Sequence, residues 1–496
     1  IFFLSKMPLK RRVAVLALAL GASAHANVLS SVSSPVLRSS SSNGDPRQRS
    51  PSFGALRISR GGAINRAAPL PPGTMSKTAS VISLTKNIVG AGMLALPAGM
   101  AAGKGTGSVP ALLLVGFSCF LSTYCFNLVG RCVEATGAKD FRELWSLTVG
   151  KDSAWLVDAM IVGVCSLSLL TYSCFLGDIL ASLLDGTALA LSRTMAILCA
   201  TCVITPLCLL PDLSALAPMA YAGVAAVTYS AVFIIKRFLD GSCAAGGALG
   251  SALPVPPQLE QLSVGRLSLG TCVLFNMLST AFTAHTNAVR FYNELENRSV
   301  ENFKGVVAKA FLASAAFYAV VMLAGYKTFG AASQGLILNN YATSDTLATI
   351  ARAATGISIL GSYPLLFTSL RDCTVSTLQA IPSLSEVGNQ CAVKSSNAWK
   401  TLTVLAIALT TSLAVLTTDV GFLVSLAGSS FGAAIIFCVP SAIFLAAKSA
   451  DDKDKPLLPS SKAEVSAIHF LFIFGVFAAL FGTAVTVLET FTNLLS

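Results

Sequence analysis

Apolar runs of about twenty residues recur along most of this 496-residue chain, and that recurrence limits the possible folds more than any single motif does. Wound as a helix, a run of that length matches the hydrocarbon thickness of a bilayer. With 54% of residues hydrophobic and only 11% charged, too little polar surface remains to wrap such segments in water. The expected fold class is therefore an all-α polytopic membrane protein. Helices are predicted at about 78–102, 108–130, 154–184, 193–211, 214–238, 267–289, 305–329, 346–378, 398–417, 419–447 and 466–490. A Gly/Ala/Pro-rich stretch separates two groups of five. The expected division is a leader at 1–77, a first five-helix repeat at 78–239, a linker loop at 240–266, a second five-helix repeat at 267–447, and a loop with an eleventh helix at 448–496.

A net charge of +11 would suggest nucleic acid as a partner if it were clustered on a soluble domain. Instead twelve of the 34 Lys and Arg residues precede Gly90 and the rest punctuate loops. With the amino end cytoplasmic, inner loops hold fifteen basic residues and outer loops seven, which favours that orientation. It places Cys243 outside and Cys391 inside. Most of the thirteen cysteines fall in apolar spans, where a thiol acts as a small hydrophobe. Cys199, Cys202 and Cys208 have no histidine or carboxylate among them, so neither a metal site nor a disulfide framework is expected.

The residues before the first span read as targeting sequence or as a misplaced start. From Met7, basic Lys10-Arg11-Arg12, an apolar core Val13 to Leu20 and Ala24-His25-Ala26 have the form of a signal peptide. Residues 27–77 are rich in Ser and Arg, like a transit peptide. A cleaved signal would leave the tail lumenal, against the charge bias. Translation from Met75 would remove the conflict.

The run Thr85 to Pro97 is a poor continuous helix. Gly90 and Gly92 each cost about 1 kcal/mol against alanine in a helix interior, and Pro97 lacks a backbone donor. Two readings follow. Either Gly90-Ala91-Gly92 is an unwound joint whose N–H groups face an anion such as a carboxylate, or the glycines form a packing notch for a neighbouring helix. The sixth span is crowded with polar groups: Asn276, Ser279, Thr280, Thr283, His285, Thr286 and Asn287. Such a cluster either unwinds to line a cavity or serves as interhelical glue. Asp178, ionisable in an apolar span, reads as a possible proton relay, as a selector of cationic side chains, or as a boundary residue reaching outer water. His285 reads as a pH sensor or as a hydrogen-bonded structural residue.

Asn87 to Pro97 resembles the first-helix signature of the amino acid/auxin permease family, in particular its plant vacuolar and sodium-coupled neutral amino acid transporters. Phe282-Thr283-Ala284-His285 with Tyr292-Asn293-Glu294-Leu295 is similar to the family's sixth-helix exit. Tyr363-Pro364-Leu365 with Arg371-Asp372 resembles its eighth helix, and Asp419 to Leu426, Gly428-Ser429 and Pro440-Ser441 its tenth.

The resemblance implies a leucine-transporter-like fold, a 5+5 inverted repeat plus an eleventh helix. It implies a substrate carboxylate held by the amides of Gly90, Ala91, Gly92 and Met93, facing Ser279, Thr280, Ala281 and Phe282. A cation site would comprise the carbonyls of Ile88 and Val89 with Ser362. Lys86 departs from the sodium-coupled pattern, and it either occupies the ion's place or snorkels to the cytoplasmic end. The implied function is secondary transport of small neutral amino acids by alternating access, coupled to sodium or to protons, with no cofactor beyond that ion. An amino acid sensor that binds without net transport is the alternative. No catalytic constellation lies at one membrane depth, so an enzyme is not expected. The substrate's identity, the oligomeric state, and the choice among vacuolar, plastid and plasma membranes are open.

Overall fold

The computed structural model describes residues 73–211, 217–244, 246–259, 264–449 and 458–495, so all but the last five residues of the leader expected at 1–77 lie outside it. Among the described residues, helices account for the regular structure, and β pairing is confined to two isolated bridges, Met75 with Leu295 and Gln258 with Gly330. The first span is two half-helices, α1 (Lys77–Ile88) and α2 (Leu96–Ala101), joined by a tight turn over Ala91–Ala95. Next come α3 (Ser108–Thr136), α4 (Phe141–Thr148), α5 (Trp155–Leu184), α6 (Arg193–Cys208) and α7 (Ala217–Asp240). The second half runs through α8 (Gly270–Ala281), α9 (Ala288–Glu294), α10 (Val300–Phe329), α11 (Thr346–Ala380), α12 (Ser385–Ala392) and α13 (Asn397–Leu416). It ends with α14 (Val420–Ser449) and α15 (Lys462–Leu495).

Among the described residues, eight helices are long and apolar enough to cross a bilayer, and the bent α1/α2 pair makes nine. The chain is a multi-pass membrane protein. Every predicted span is helical, but two fall short of a full crossing. The 16-residue α6 carries Pro206 near its end, where the ring and the missing N–H stop propagation. The 12-residue α8 stops at Ala281, before a break.

Two short helices, α4 and α12, were not anticipated. For α4 the signal was present: Asp140 accepts from the Glu143 N–H at 2.8 Å and Glu143 accepts from the Lys139 N–H at 2.8 Å, a capping box with aspartate in the cap position.

Two arginines counted as loop charges in the orientation argument, Arg352 outer and Arg371 inner, lie inside α11, within the helix predicted at 346–378. Arg352 is 1% exposed and donates to the carbonyls of Leu338, Tyr341 and Ala342, fastening the loop before its own helix. Arg371 is buried against the Trp399 ring at 4.0 Å and donates to the Cys208 carbonyl at 3.0 Å. Backbone carbonyls take the Nη donors of both guanidiniums, which offsets part of the cost of burying a cation in an apolar span, while the Nε of each has no partner among the described residues.

Cys243 and Cys391, placed on opposite sides by the charge bias, are both buried. Burial pushes the Cys243 thiol up to about 11, so it is a poor reporter of which side its loop faces.

Candidate functional site

The two interrupted spans meet at the centre of the molecule. In the first, α1 ends at Ile88. Val89 (φ −81°, ψ 97°) and Gly90 (φ −122°, ψ −167°) are extended, and the chain re-enters a helical path bent by 44°. The break therefore falls at Val89 and Gly90; of the predicted joint Gly90-Ala91-Gly92 only Gly90 is unwound, Ala91 and Gly92 belonging to the tight turn that follows. A Cβ added at Gly92 would meet nothing within 4 Å, and one at Gly90 would meet only the Tyr172 hydroxyl at 3.8 Å. A packing notch needs a neighbouring helix pressed against the glycine, as at Gly99, where a Cβ would lie 2.6 Å from Met277 Sδ. Gly90 and Gly92 lack that neighbour, so close packing does not account for them.

The second break follows Ala281. Phe282 N–H still donates to Leu278 at 2.9 Å, after which the chain passes through Ala284 (φ −129°, ψ 1°) and a short turn over His285–Asn287 into α9. His285 is fully buried and its Nε2–H donates to the Ser122 carbonyl at 3.0 Å, with its ring edge-on to Phe126 at 5.4 Å. The histidine thus anchors the break to α3, which fits the structural reading.

Much of the polar cluster predicted to line a cavity serves as glue instead. Asn276 Nδ2 donates to the Gly482 carbonyl and Thr486 Oγ1, both at 3.0 Å, and Thr280 Oγ1 to the Val424 carbonyl at 2.5 Å. Ser279 donates back to the Phe275 carbonyl of its own helix at 3.0 Å. These bonds tie α8 to α15 and α14.

One side chain joins the two breaks. The hydroxyl of Tyr318, fully buried on α10, lies 2.7 Å from the Ile88 carbonyl oxygen and 2.7 Å from that of Ala281. Each oxygen ends its half-helix and so has no intrahelical donor. Ala91, Met93, Ser279, Ala281 and Phe282 are buried around this junction, while Gly90, Gly92 and Thr280 are part-exposed. The two substrate-facing segments implied by the resemblance are therefore brought together through Tyr318.

The three-member cation set is held differently. Tyr318 engages the Ile88 carbonyl, and Ser362 donates to Ser358 within α11 at 2.9 Å. The Lys86 stem instead points into the seam between α7 and α11. A Cβ at Gly223 would lie 3.0 Å from Ser358 Oγ and 3.9 Å from Lys86 Cε. Asp178 sits farther out, paired with Arg193 at 2.6 Å and accepting from Asn339 Nδ2 at 3.2 Å. Arg193 also donates to the Thr417 carbonyl at 2.9 Å, so this pair closes the outer ends of α5, α6 and α13.

A cavity of about 560 Å³ opens at that same end, lined by the exit of α2, the start of α8, the start of α14 and the end of α15. It reaches inward as far as Ala98, Met277 and Ser425 and carries Asp178, Asp419 and Glu489 on its wall. It stops short of the eight predicted substrate residues. At the opposite end the half-helices are stitched together. Met75 N–H donates to the Glu294 carbonyl at 2.8 Å, Glu296 N–H to the Met75 carbonyl at 3.0 Å, and Asn287 Nδ2 to Asn87 Oδ1 at 3.4 Å.

Reasoning from sequence missed Tyr318 and Tyr172. A tyrosine in an apolar span must find a partner for its hydroxyl, and that requirement was the available signal.

Comparison with known proteins agrees with this architecture. The family model described as "Transmembrane amino acid transporter protein" matches residues 73–488. The chain is 24% identical over 379 residues to a Bos taurus protein named "Putative sodium-coupled neutral amino acid transporter 11", covering 75% of this chain and 76% of that one. It is 27% identical over 303 residues to vacuolar amino acid transporter 7 of Saccharomyces cerevisiae, covering 60% of this chain and 59% of that one. It is 27% identical over 372 residues to vacuolar amino acid transporter 5 of Schizosaccharomyces pombe, covering 74% and 83%.

Proposed function

Because the chain belongs to the transmembrane amino acid transporter protein family, whose members are transporters rather than enzymes, we propose that it is a secondary active transporter of small neutral amino acids. It works by alternating access around the junction of the two broken helices. The observation that carries this reading is the asymmetry about that junction. A cavity approaches it from one end, while the half-helices α1 and α9 are stitched together at the other. A cavity of about 560 Å³ lies within the usual range for small-ligand sites, about 300–1,000 Å³. On this reading the helices form a 5+5 inverted repeat with α15 added, the architecture in which discontinuous helices place a site at mid-membrane.

The substrate's carboxylate meets the amides of Gly90, Ala91, Gly92 and Met93, where the half-helix start presents a positive dipole end, the Met93 N–H exchanging its 3.3 Å bond to the Gly90 carbonyl for the substrate. Its ammonium group meets the carbonyls that end α1 and α8. Neither stretch offers a carboxylate that would select a cationic side chain, and buried Met93 and Phe282 suit a small uncharged one.

Coupling is to protons. The Lys86 stem enters the seam beside Ser358, one turn from Ser362, so a fixed positive charge stands near the residues of the cation set. A like charge nearby disfavours a bound sodium ion.

Purified protein in proteoliposomes is expected to accumulate radiolabelled alanine, serine or glutamine. Tight binding without uptake would identify a sensor instead.

A further inference from the structure

Three oxygens converge at the Tyr318 junction, and they share one hydrogen. The Ile88 and Ala281 carbonyls are acceptors only, and the phenol that lies 2.7 Å from each has a single proton to donate. The cluster is buried away from bulk solvent. Such a group of oxygens favours a cationic donor with several hydrogens, and a primary ammonium carries three. Yet the phenol oxygen is already at hydrogen-bond distance from both carbonyls. An ammonium cannot reach them together until the hydroxyl withdraws.

We propose that the Tyr318 hydroxyl is the resident stand-in for the substrate ammonium: it shares its one proton between the two helix-end carbonyls when the carrier is empty and yields them when substrate binds. The inference rests on the transport reading above and deepens it. A transporter that moves net substrate must return empty, and during that return the two breaks are closed around nothing. Without an internal donor, both carbonyls would be buried and unpaired at that moment. With Tyr318 in place they share its proton in the empty carrier and take the ammonium's hydrogens in the loaded one. Tyr318 is thus a positioning residue for the empty carrier, and its Phe282 neighbour, edge-on at 4.9 Å, holds the ring at the junction.

The test compares two modes of transport in proteoliposomes holding the full chain, with radiolabelled L-alanine as the probe. Exchange against internal alanine uses only loaded carriers, whereas net uptake into alanine-free vesicles also needs the empty return. Wild type is expected to perform both. Tyr318→Phe should lower net uptake roughly tenfold or more relative to exchange, the cost of leaving buried carbonyls without a donor. Its apparent KM for exchange should fall, because the phenol no longer competes with the ammonium. Tyr318→Gln, which restores an N–H donor, should recover part of the net uptake. A parallel loss of both modes in these variants, or an unchanged ratio, would overturn the proposal. If neither variant reaches the membrane, wild type decides, because obligatory exchange by the native chain contradicts an internal stand-in. Absence of any alanine, serine or glutamine transport by wild type would remove the underlying function, an outcome distinct from failure of the stand-in alone.

Discussion

The first span breaks at Val89 and Gly90, beside two glycines and a proline, whereas the sixth breaks after Ala281 in a stretch with no glycine from Thr271 to Lys304. In the first case the backbone itself is permissive, since glycine and proline weaken a helix whatever surrounds it. In the second, neighbours hold the chain out of helix. His285 is bonded to the Ser122 carbonyl, the Phe282 ring stacks on Phe311 at 6.0 Å, and Tyr318 takes the Ala281 carbonyl. A locally encoded break can be read from residue types; a break imposed by tertiary contacts is visible only in the fold.

If this contrast is right, the two breaks should fail in different ways. The largest effect is expected at the first. Gly92→Leu puts a branched side chain where nothing lies within 4 Å, so the protein should insert and remain stable while uptake falls by roughly two orders of magnitude. Normal uptake by an inserted mutant would show that the Gly92 amide does not face substrate. At the second break the effect should appear first in stability. His285→Ala removes a buried ring and its bond to Ser122, at a cost of about 2 kcal/mol, and the melting temperature should drop even with saturating substrate. An unchanged melting temperature would mean that the break does not depend on its anchor.

A smaller effect separates glue from site. Asn276→Leu loses two interhelical bonds, to Gly482 and Thr486, each worth about 0.6 kcal/mol in membrane proteins. Thermal stability should fall by about 1 kcal/mol with KM unchanged. A large rise in KM would return Asn276 to the cavity wall. The smallest effect is expected at Ser362, whose hydroxyl donates to Ser358. Ser362→Ala should change uptake less than about twofold, since a single helix-internal hydroxyl contributes little. A marked loss that added sodium repairs would show that Ser362 is an ion ligand after all.

The legibility of the molecule follows the same division. The spans were readable because an apolar run of bilayer length has few alternatives to a helix. The bend at Gly90 was readable because glycine and proline act through the local backbone. The destination of each polar side chain on α8 was not, because Asn276 and Thr280 could turn towards a cavity or towards α14 and α15 with equal local propensity. Only packing decides, as where Gly428 brings α14 so close to α8 that a Cβ there would collide with the Asn276 carbonyl. Asp178 was recognisable as an unusual ionisable residue, but its partner Arg193 lies across a hairpin whose geometry no spacing rule supplies. Charge counting misplaced Arg352 and Arg371 because it treats every arginine as a loop residue, although backbone carbonyls can accept from a buried guanidinium.

Substrate is proposed to cross at the junction of the breaks, with coupling to protons rather than to sodium. Radiolabelled alanine uptake into proteoliposomes, with a pH gradient and a sodium gradient imposed separately, tests it most directly. The account predicts accumulation that follows the pH gradient and is indifferent to sodium; uptake that requires sodium and ignores the imposed pH gradient would contradict it.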